Sequence, residues 1–390
     1  MKYSDFFNNL KLNVDYVETI KEFNDMKTCK HSTHWHNEGS PWDHTMLVVK
    51  NMKEFLSHDY TLVQYDIDNW HMEALMMAAL FHDIAKPVVT EWDEKKQDWG
   101  CPNHAEVGSK MTRELLFDWD DICQREYIVG LVRHHMILHH ILEQNDQNKY
   151  KKFFKFGGRH YTNINYKHQC LLCMCDDLSS WCKDTCVAEK IYTHKKILML
   201  ENIPINGNHA VRSAQNEVFI NARKTFYGKG EYEDNPINVY IMIGLPGSGK
   251  STWVSNNHPN IPLVSRDLAR VELGYCSIGE KYLGTESEEN NVTKYVENKM
   301  LSLAKDGVDF IIDNTHLKQK YRDKIHVLLK DYNIKYTYVY VEGPTLNEII
   351  KRRKDDGFGF KSESIILNML KTFEFPYRYE YDELLIIKQK

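Results

Sequence analysis

The run Gly244-Leu245-Pro246-Gly247-Ser248-Gly249-Lys250-Ser251-Thr252 follows directly on the apolar stretch Ile237 to Ile243. It fits G-x-x-x-x-G-K-[ST] from Gly244 to Ser251. The stretch before it gives the motif its meaning, because a buried strand that turns through glycines into a helix N-terminus is a phosphate cradle. Backbone N–H groups of the loop and of the helix start face the phosphates. Gly244, Gly247, Ser248, Gly249 and Thr252 build the cradle, Lys250 reaches the β- and γ-phosphates, and the Ser251 hydroxyl ligates Mg²⁺. The feature predicts ATP or another nucleoside triphosphate, bound on a parallel α/β sheet.

The surrounding pattern agrees. Short β-rich runs (Val239 to Gly244, Phe310 to Asp313, Tyr336 to Glu342, Leu384 to Ile387) alternate with helical stretches, as in a parallel α/β sheet. One helix carries Val292, Val296, Met300 and Ala304 on a single stripe. The first 200 residues differ: apolar-periodic segments such as Met72 to Phe81 and Tyr127 to Leu138 predict helices, with few strand-like alternations. With 390 residues, 42% of them hydrophobic, there is material for two cores. We therefore expect two domains, an all-α domain over 1–200 and an α/β P-loop domain with a parallel sheet over 237–390. Residues 201–236 form the linker between them, with Asn- and Gly-rich stretches at 202–208 and 228–236 and a connecting helix over 216–225.

A net charge of −5 excludes a uniformly basic nucleic-acid coat, so any contact with RNA or DNA is local. The run from Lys149 to His160 interleaves lysines with Tyr150, Phe153, Phe154 and Phe156. It reads equally as a single-strand binding surface and as an amphipathic loop with a solvated face. Five of nine cysteines (Cys170, Cys173, Cys175, Cys182, Cys186) fall in one helical stretch without paired C-x-x-C knuckles. They read as reduced core thiols rather than as a zinc site. No secretory signal and no bilayer-length apolar run is visible, which predicts a cytoplasmic protein without membrane contact.

Three features of the second half bear on chemistry. Leu263-Val264-Ser265-Arg266-Asp267-Leu268-Ala269-Arg270 sets Asp267 and Arg270 three apart on the first turn after a strand, and ligands of open α/β sheets bind at strand C-termini. A carboxylate there accepts the proton of an attacking hydroxyl, and a guanidinium beside it holds a phosphate. The strand Phe310 to Asp313 brings Asp313 beside the phosphate loop. The run Lys351-Arg352-Arg353-Lys354, followed by Asp355 to Gly359, has the composition of an arginine-bearing lid, though a solvated basic face looks similar. Together these residues resemble the P-loop polynucleotide 5′-kinases over residues 237 to 380. The resemblance implies Asp267 as general base on a 5′-hydroxyl, Arg270 on the acceptor phosphate, and Arg352 or Arg353 on the transferring phosphoryl.

The first half supplies His and carboxylate at separate stations: His44, the doublet His82-Asp83, His104, His135 and Asp176. Nitrogen and oxygen donors of this kind suit Mn, Fe, Ni, Co or Mg, and a divalent metal lowers the pKa of a bound water for phosphate-ester hydrolysis. The pattern resembles the HD phosphohydrolases over residues 30 to 185. The resemblance implies one metal held by His44, His82, Asp83 and Asp176, a second held by His104 and His135 with Asp83 bridging, and Lys86 at the phosphate. His134 competes with His135, and Asp177 with Asp176. His31, His34 and His36 read as part of a solvated loop, with substrate contact as the alternative. The fusion resembles the bifunctional HD-domain polynucleotide kinases that heal broken RNA ends. It implies RNA ends as substrate, DNA being the alternative, a separate RNA ligase for sealing, and no constraint for or against a homodimer. A competing expectation is an HD nucleotidase or signalling-nucleotide hydrolase controlled by an ATP-binding domain.

Overall fold

The computed structural model describes residues 20–32, 34, 36–136, 164–181, 235–277, 282, 284–353 and 360–389. The chain divides into two compact units, Met1–Glu217 and Val218–Lys390. The 149–160 run, the 202–208 stretch, the 216–225 helix, Cys182, Cys186 and the 355–359 segment lie outside the described residues.

In the first unit the described helices are α1 (Lys21–Thr28), α2 (Pro41–Leu56), α3 (Asp59–Gln64), α4 (Asn69–Phe81), α5 (Lys86–Val89), α6 (His104–Leu115), α7 (Ile122–His134) and α8 (Tyr166–Ser179). Residues Ala74 to Phe81 of α4 are all buried, and a helix that is apolar on every side belongs at the centre of a bundle. It packs against α2, α7 and α8. Starts are fixed locally. Ser40 and Asp43 close a capping box on α2, while Asp68 and Asp121 accept the His71 and Gln124 backbone N–H groups of α4 and α7. Cys170, Cys173 and Cys175 are buried thiols on α8, none of them in a disulfide.

One element departs from the helical expectation. Between α5 and α6 the chain forms an antiparallel hairpin, β1 (Glu91–Asp93) and β2 (Asp98–Gly100), with Trp92 opposite Trp99. Three-residue strands are too short to show alternation. The signal for this hairpin is the cross-strand tryptophan pair, whose rings lie 5.4 Å apart at 71°.

The second unit is a five-stranded parallel sheet in the order β4-β5-β3-β6-β7. Its strands are β3 (Ile237–Ile243), β4 (Leu263–Ser265), β5 (Phe310–Asp313), β6 (Ile334–Glu342) and β7 (Glu383–Lys388). Helices α9 (Lys250–Asn257), α10 (Arg266–Glu272), α11 (Glu286–Lys305), α12 (Gln319–Leu328), α13 (Leu346–Arg353) and α14 (Phe360–Lys371) connect them. The α11 stripe Val292, Val296, Met300 and Ala304 is buried as the spacing predicts. Register then places the chemistry: Asp313 pairs with Met242 on one side and Ser265 on the other, so β3, β4 and β5 end together. After β3 the chain goes to one side of the sheet for β4 and β5 and to the other for β6. The strand order reverses there, where open α/β sheets bind ligands.

Candidate functional site

In the helical unit, chain ends of helices converge. His82 caps the C-terminus of α4, His135 that of α7, and His104 opens α6. Each donates its Nδ1–H to the carbonyl three residues earlier: His82 to Ala79 at 2.8 Å, His104 to Cys101 at 2.8 Å, His135 to Val132 at 2.7 Å. Each Nε2 lone pair is thereby turned toward Asp83. The Asp83 carboxylate lies 3.2 Å from His82 Nε2, 3.5 Å from His104 Nε2 and 3.9 Å from both His135 Nε2 and His44 Nε2. His44, on α2, has Asp176 Oδ1 of α8 at 2.9 Å from its Nε2.

This donor set suits a divalent cation. His44, His82 and Asp83 form one group of converging ligand atoms, and Asp83, His104 and His135 another. His82 Nε2 is buried without a hydrogen-bond partner, and the Nε2 atoms of His104 and His135 face each other at 3.1 Å. Lone pairs so arranged call for a shared positive charge. The structure brings the residues His44, His82, Asp83, His104, His135 and Asp176 together. A third group of converging ligand atoms is His36, Glu38 and His44; Asp176, like His134 and Asp177, is in none of the three and meets the cluster through His44.

Charge is balanced within the cluster. Burial opposes its ionisation, yet His82 and Lys86 hold the Asp83 carboxyl well below the usual range. Lys86 is buried, donates to Asp83 Oδ2 at 2.6 Å, and is raised by that contact in spite of burial. His44 is pulled down by burial, but hydrogen bonds to Asp176 and Glu38 carry it up to about 9. His135 is pushed down to about 3 by burial and by His104 and His82.

The histidines before α2 correct the expectation of a solvated loop. His31 is 8% exposed and its Nε2 accepts from Lys86 Nζ at 2.9 Å. The His36 ring stacks on it at 3.7 Å, while His34 alone of the three is exposed. Glu38, missed in the sequence, accepts from His36 Nδ1 at 2.7 Å and His44 Nδ1 at 2.8 Å. Nothing local marks Glu38, since it stands in an irregular Asn-Glu-Gly-Ser run whose partner Trp181 is 143 residues away.

In the second unit Gly244, Gly247 and Gly249 have φ of +150°, +81° and +96°. A Cβ on Gly244 would stand 2.3 Å from the Val341 carbonyl oxygen, which is why glycine opens the turn. Gly249 caps α9 in a left-handed conformation, so the loop N–H groups and the helix start face one space. Ser248 is buried beside them, and Thr252 follows in the first turn. Lys250 is bound to the carbonyls of Gly244 (3.0 Å) and Leu245 (2.8 Å), and burial pushes its amine down to about 8. Ser251 Oγ donates to Asp313 Oδ2 at 2.9 Å; burial raises that carboxyl.

Asp267 and Arg270 sit on the first turns of α10, their side chains 2.5 Å apart, with the Asp267 carboxylate 91% exposed. Glu289 of α11, another residue not picked from sequence, takes Arg270 Nε at 2.9 Å and also binds Arg266. Arg352 reaches the Gly247 carbonyl at 3.4 Å, and the Arg353 side chain packs over the same glycine. Both arginines therefore adjoin the phosphate loop. The Glu374 and Glu380 of the late Phe373-to-Glu380 segment are structural: Glu374 binds the Gln319 N–H, and Glu380 pairs with Arg322 in full burial.

Two family models each match one part of the chain. Residues 42–180 match the HD domain, and residues 239–376 match the AAA domain of the P-loop class. The chain therefore carries an HD domain followed by a P-loop, kinase-like domain. Over 64 residues the chain is 39% identical to the CC-adding tRNA nucleotidyltransferase of Thermus thermophilus, covering 15% of this chain and 14% of that protein. Among solved structures it is similar to a chain of the Pnkp1/Rnl/Hen1 RNA repair complex (24% identity, 37% of this chain and 49% of that chain, TM-score 0.30). It is also similar to a sugar kinase from Janibacter sp. (22% identity, 39% and 85%, TM-score 0.27). The chain spans less than half the length of the first two of these proteins. Among the described residues no helix is long and apolar enough to cross a membrane.

Proposed function

We propose that the protein heals both ends of a broken RNA, phosphorylating the 5′-hydroxyl end with ATP and removing a 2′,3′-cyclic, 2′- or 3′-phosphate from the other. The observation that carries the reading is that one chain holds a buried His/Asp cluster with a lysine attached and a phosphate loop with an Asp–Arg pair at the same sheet edge. An endonucleolytic cut that uses the ribose 2′-hydroxyl leaves just these two defects, and a ligase accepts neither. Sealing belongs to a separate RNA ligase.

In the helical unit, His44, His82, Asp83 and Asp176 would hold one divalent cation, and His104 and His135, sharing Asp83, a second. A cation there supplies Lewis-acid charge and an acidified water. Donor type admits Mn, Ni, Co, Fe or Mg. The Nδ1 hydrogen bonds of the histidines fix their tautomers, and Lys86 neutralises a phosphate oxygen brought against Asp83.

In the second unit, loop N–H groups cradle the ATP phosphates, and Lys250 exchanges its two carbonyl partners for them. Ser251 and Asp313 would hold Mg²⁺. The exposed Asp267 takes the proton of the 5′-hydroxyl while Arg270, clamped by Glu289, positions the acceptor phosphate. Arg352 or Arg353 offsets the charge on the transferring phosphoryl.

The test is an RNA oligonucleotide with a 5′-hydroxyl and a 2′,3′-cyclic phosphate, incubated with ATP and Mg²⁺ or Mn²⁺ and resolved by mass at both ends. Gain of a 5′-phosphate with loss of the other phosphate supports end healing. Two unchanged ends, with hydrolysis of mononucleotides, would replace it by the nucleotidase reading.

A further inference from the structure

The segment before α2 extends the HD site with His36 and Glu38, which with His44 form a third group of converging donor atoms, closed among themselves by hydrogen bonds. Glu38 is gripped on both carboxylate oxygens. Oε1 takes the Nδ1–H groups of His36 and His44, and Oε2 takes the Trp181 backbone N–H at 2.9 Å. A carboxylate only accepts, so both imidazoles carry their proton on Nδ1. His44 faces a carboxylate at each nitrogen, Glu38 at Nδ1 and Asp176 at Nε2, so it carries a proton on both in the metal-free site. For His36 the Nδ1 proton leaves Nε2 as a fixed acceptor, and its side chain is 16% exposed where those of His44, His82 and His135 are 0–1% exposed.

His36 stands beside the phosphate apparatus. Its ring lies 3.7 Å from that of His31, whose Nε2 is on Lys86, and 4.8 Å from that of His44. Phosphate oxygens are acceptors, so an acceptor nitrogen in this place is mismatched to phosphate. It is matched to a hydroxyl. On an RNA end bearing a 3′-phosphate, the hydroxyl next to the phosphate is the ribose 2′-OH, which DNA lacks.

We propose that His36, locked by Glu38, reads the ribose hydroxyl vicinal to the terminal phosphate, making the HD site selective for ribonucleotide ends. The inference rests on the phosphate-removal reading above and deepens it. Glu38 acts as a positioning residue: it touches no substrate and sets which nitrogen of His36 carries the proton.

The experiment compares kcat/KM for dephosphorylation of two oligonucleotides of one sequence, ending in a ribonucleotide 3′-phosphate or its 2′-deoxy counterpart, by the full chain with Mn²⁺. The wild type should favour the ribonucleotide end by about five- to tenfold, the worth of one neutral hydrogen bond. His36→Phe should bring that ratio close to one; Glu38→Gln, whose amide donates to Nδ1 of His36, should lower the ratio too, together with both rates, because Glu38 equally holds His44. His36→Asn, which keeps a side-chain acceptor, should hold an intermediate ratio. That graded result separates reading of a hydroxyl from general damage, which would lower both rates together. A wild-type ratio near one, or a ratio kept by His36→Phe, overturns the inference while dephosphorylation itself still supports the parent reading. If the wild type removes neither phosphate, the parent reading fails and the inference falls with it.

Discussion

Three glycines with φ in the left-handed region stand in three different surroundings, and alanine at each should separate backbone strain from steric overlap. Gly274 (φ +75°) has nothing within 4 Å of the point a Cβ would occupy, so Gly274→Ala should cost only the strain of an L-residue there, about 1 kcal/mol. Gly247 (φ +81°) would put its Cβ at 3.6 Å from the Arg353 side chain and the Ile349 carbonyl, ordinary contact, so its cost should be similar. Gly244 (φ +150°) would drive its Cβ to 2.3 Å from the Val341 carbonyl oxygen and 2.9 Å from Ser248 Oγ. Val341 is held in β6 by pairing with Ile387, so it cannot yield cheaply. Relief needs the phosphate loop to move by roughly 1 Å, at an overpacking cost of roughly 1–3 kcal/mol beyond the strain. A misplacement of that size in a group-positioning element costs about a hundredfold in function. Urea unfolding and ATP titration by calorimetry would measure both effects. Gly244→Ala should lose ATP affinity by about two orders of magnitude, with Gly274→Ala unchanged in ATP affinity. Equal losses at Gly244 and Gly274, or wild-type ATP affinity in Gly244→Ala, would refute the reasoning.

Other tests address the two sites and the stability of the fold. Lys250→Ala and Asp267→Ala should each abolish 5′-phosphorylation by at least about a hundredfold and leave phosphate removal intact, while Asp83→Ala should do the reverse; loss of both reactions from either class in a folded protein would sink the two-site scheme. Glu380→Gln leaves Arg322 charged in complete burial and should destabilise the second unit by about 3–5 kcal/mol in urea unfolding, and a loss below about 1 kcal/mol would show that the pair is dispensable. Burial holds His316 at about 4, below its unfolded value near 6.5, so the unfolded state binds the extra proton between those values. Its contribution is therefore fully present above about pH 6.5 and declines by about 1.4 kcal/mol per unit as pH falls toward 4; His316→Asn should flatten that part of the stability profile. Removing divalent metal with a chelator should lower the melting temperature of the helical unit, and restoring Mn²⁺ at about a hundredfold excess over its Kd should return about 2.7 kcal/mol; an unchanged melting temperature would speak against the cluster as a metal centre.

The parts of the fold legible in the sequence are those with local causes. The glycine pattern after β3 follows from backbone conformations only glycine adopts readily, and the α11 stripe follows from helical period, so both read directly from residue order. The β1–β2 hairpin did not, because its two strands are three residues each in a charged stretch and their stabilising Trp92–Trp99 pair is a cross-strand contact. Glu38 and Glu289 escaped for a related reason. Each acts on an arginine or histidine brought near by folding, and a lone glutamate in an irregular run or an acidic helix start looks like an ordinary solvated charge. The solvated reading of His31 and His36 failed because the partners are distant in sequence: Lys86, bonded to His31, lies 55 positions away, and Trp181, whose N–H holds Glu38 beneath His36, lies 143 positions from that glutamate.

The neighbouring residues that composition left open are turned in different directions, and where a helix stops decides which way. The last carbonyls of a helix lack intrahelical donors, and an imidazole at the cap can supply one through Nδ1–H to the carbonyl three residues back. His82 and His135 both do so, at the ends of α4 and α7, and the bond that completes the helix also commits Nε2 to the interior. His134 is one position earlier, about 100° around the helix. Phase along α8 acts in the same way on the carboxylates, since Asp176 Oδ1 meets His44 Nε2 while the next residue is turned by a similar angle. Two of the candidate ligands, His82 and His135, thus point inward because helix ends need donors that histidine supplies.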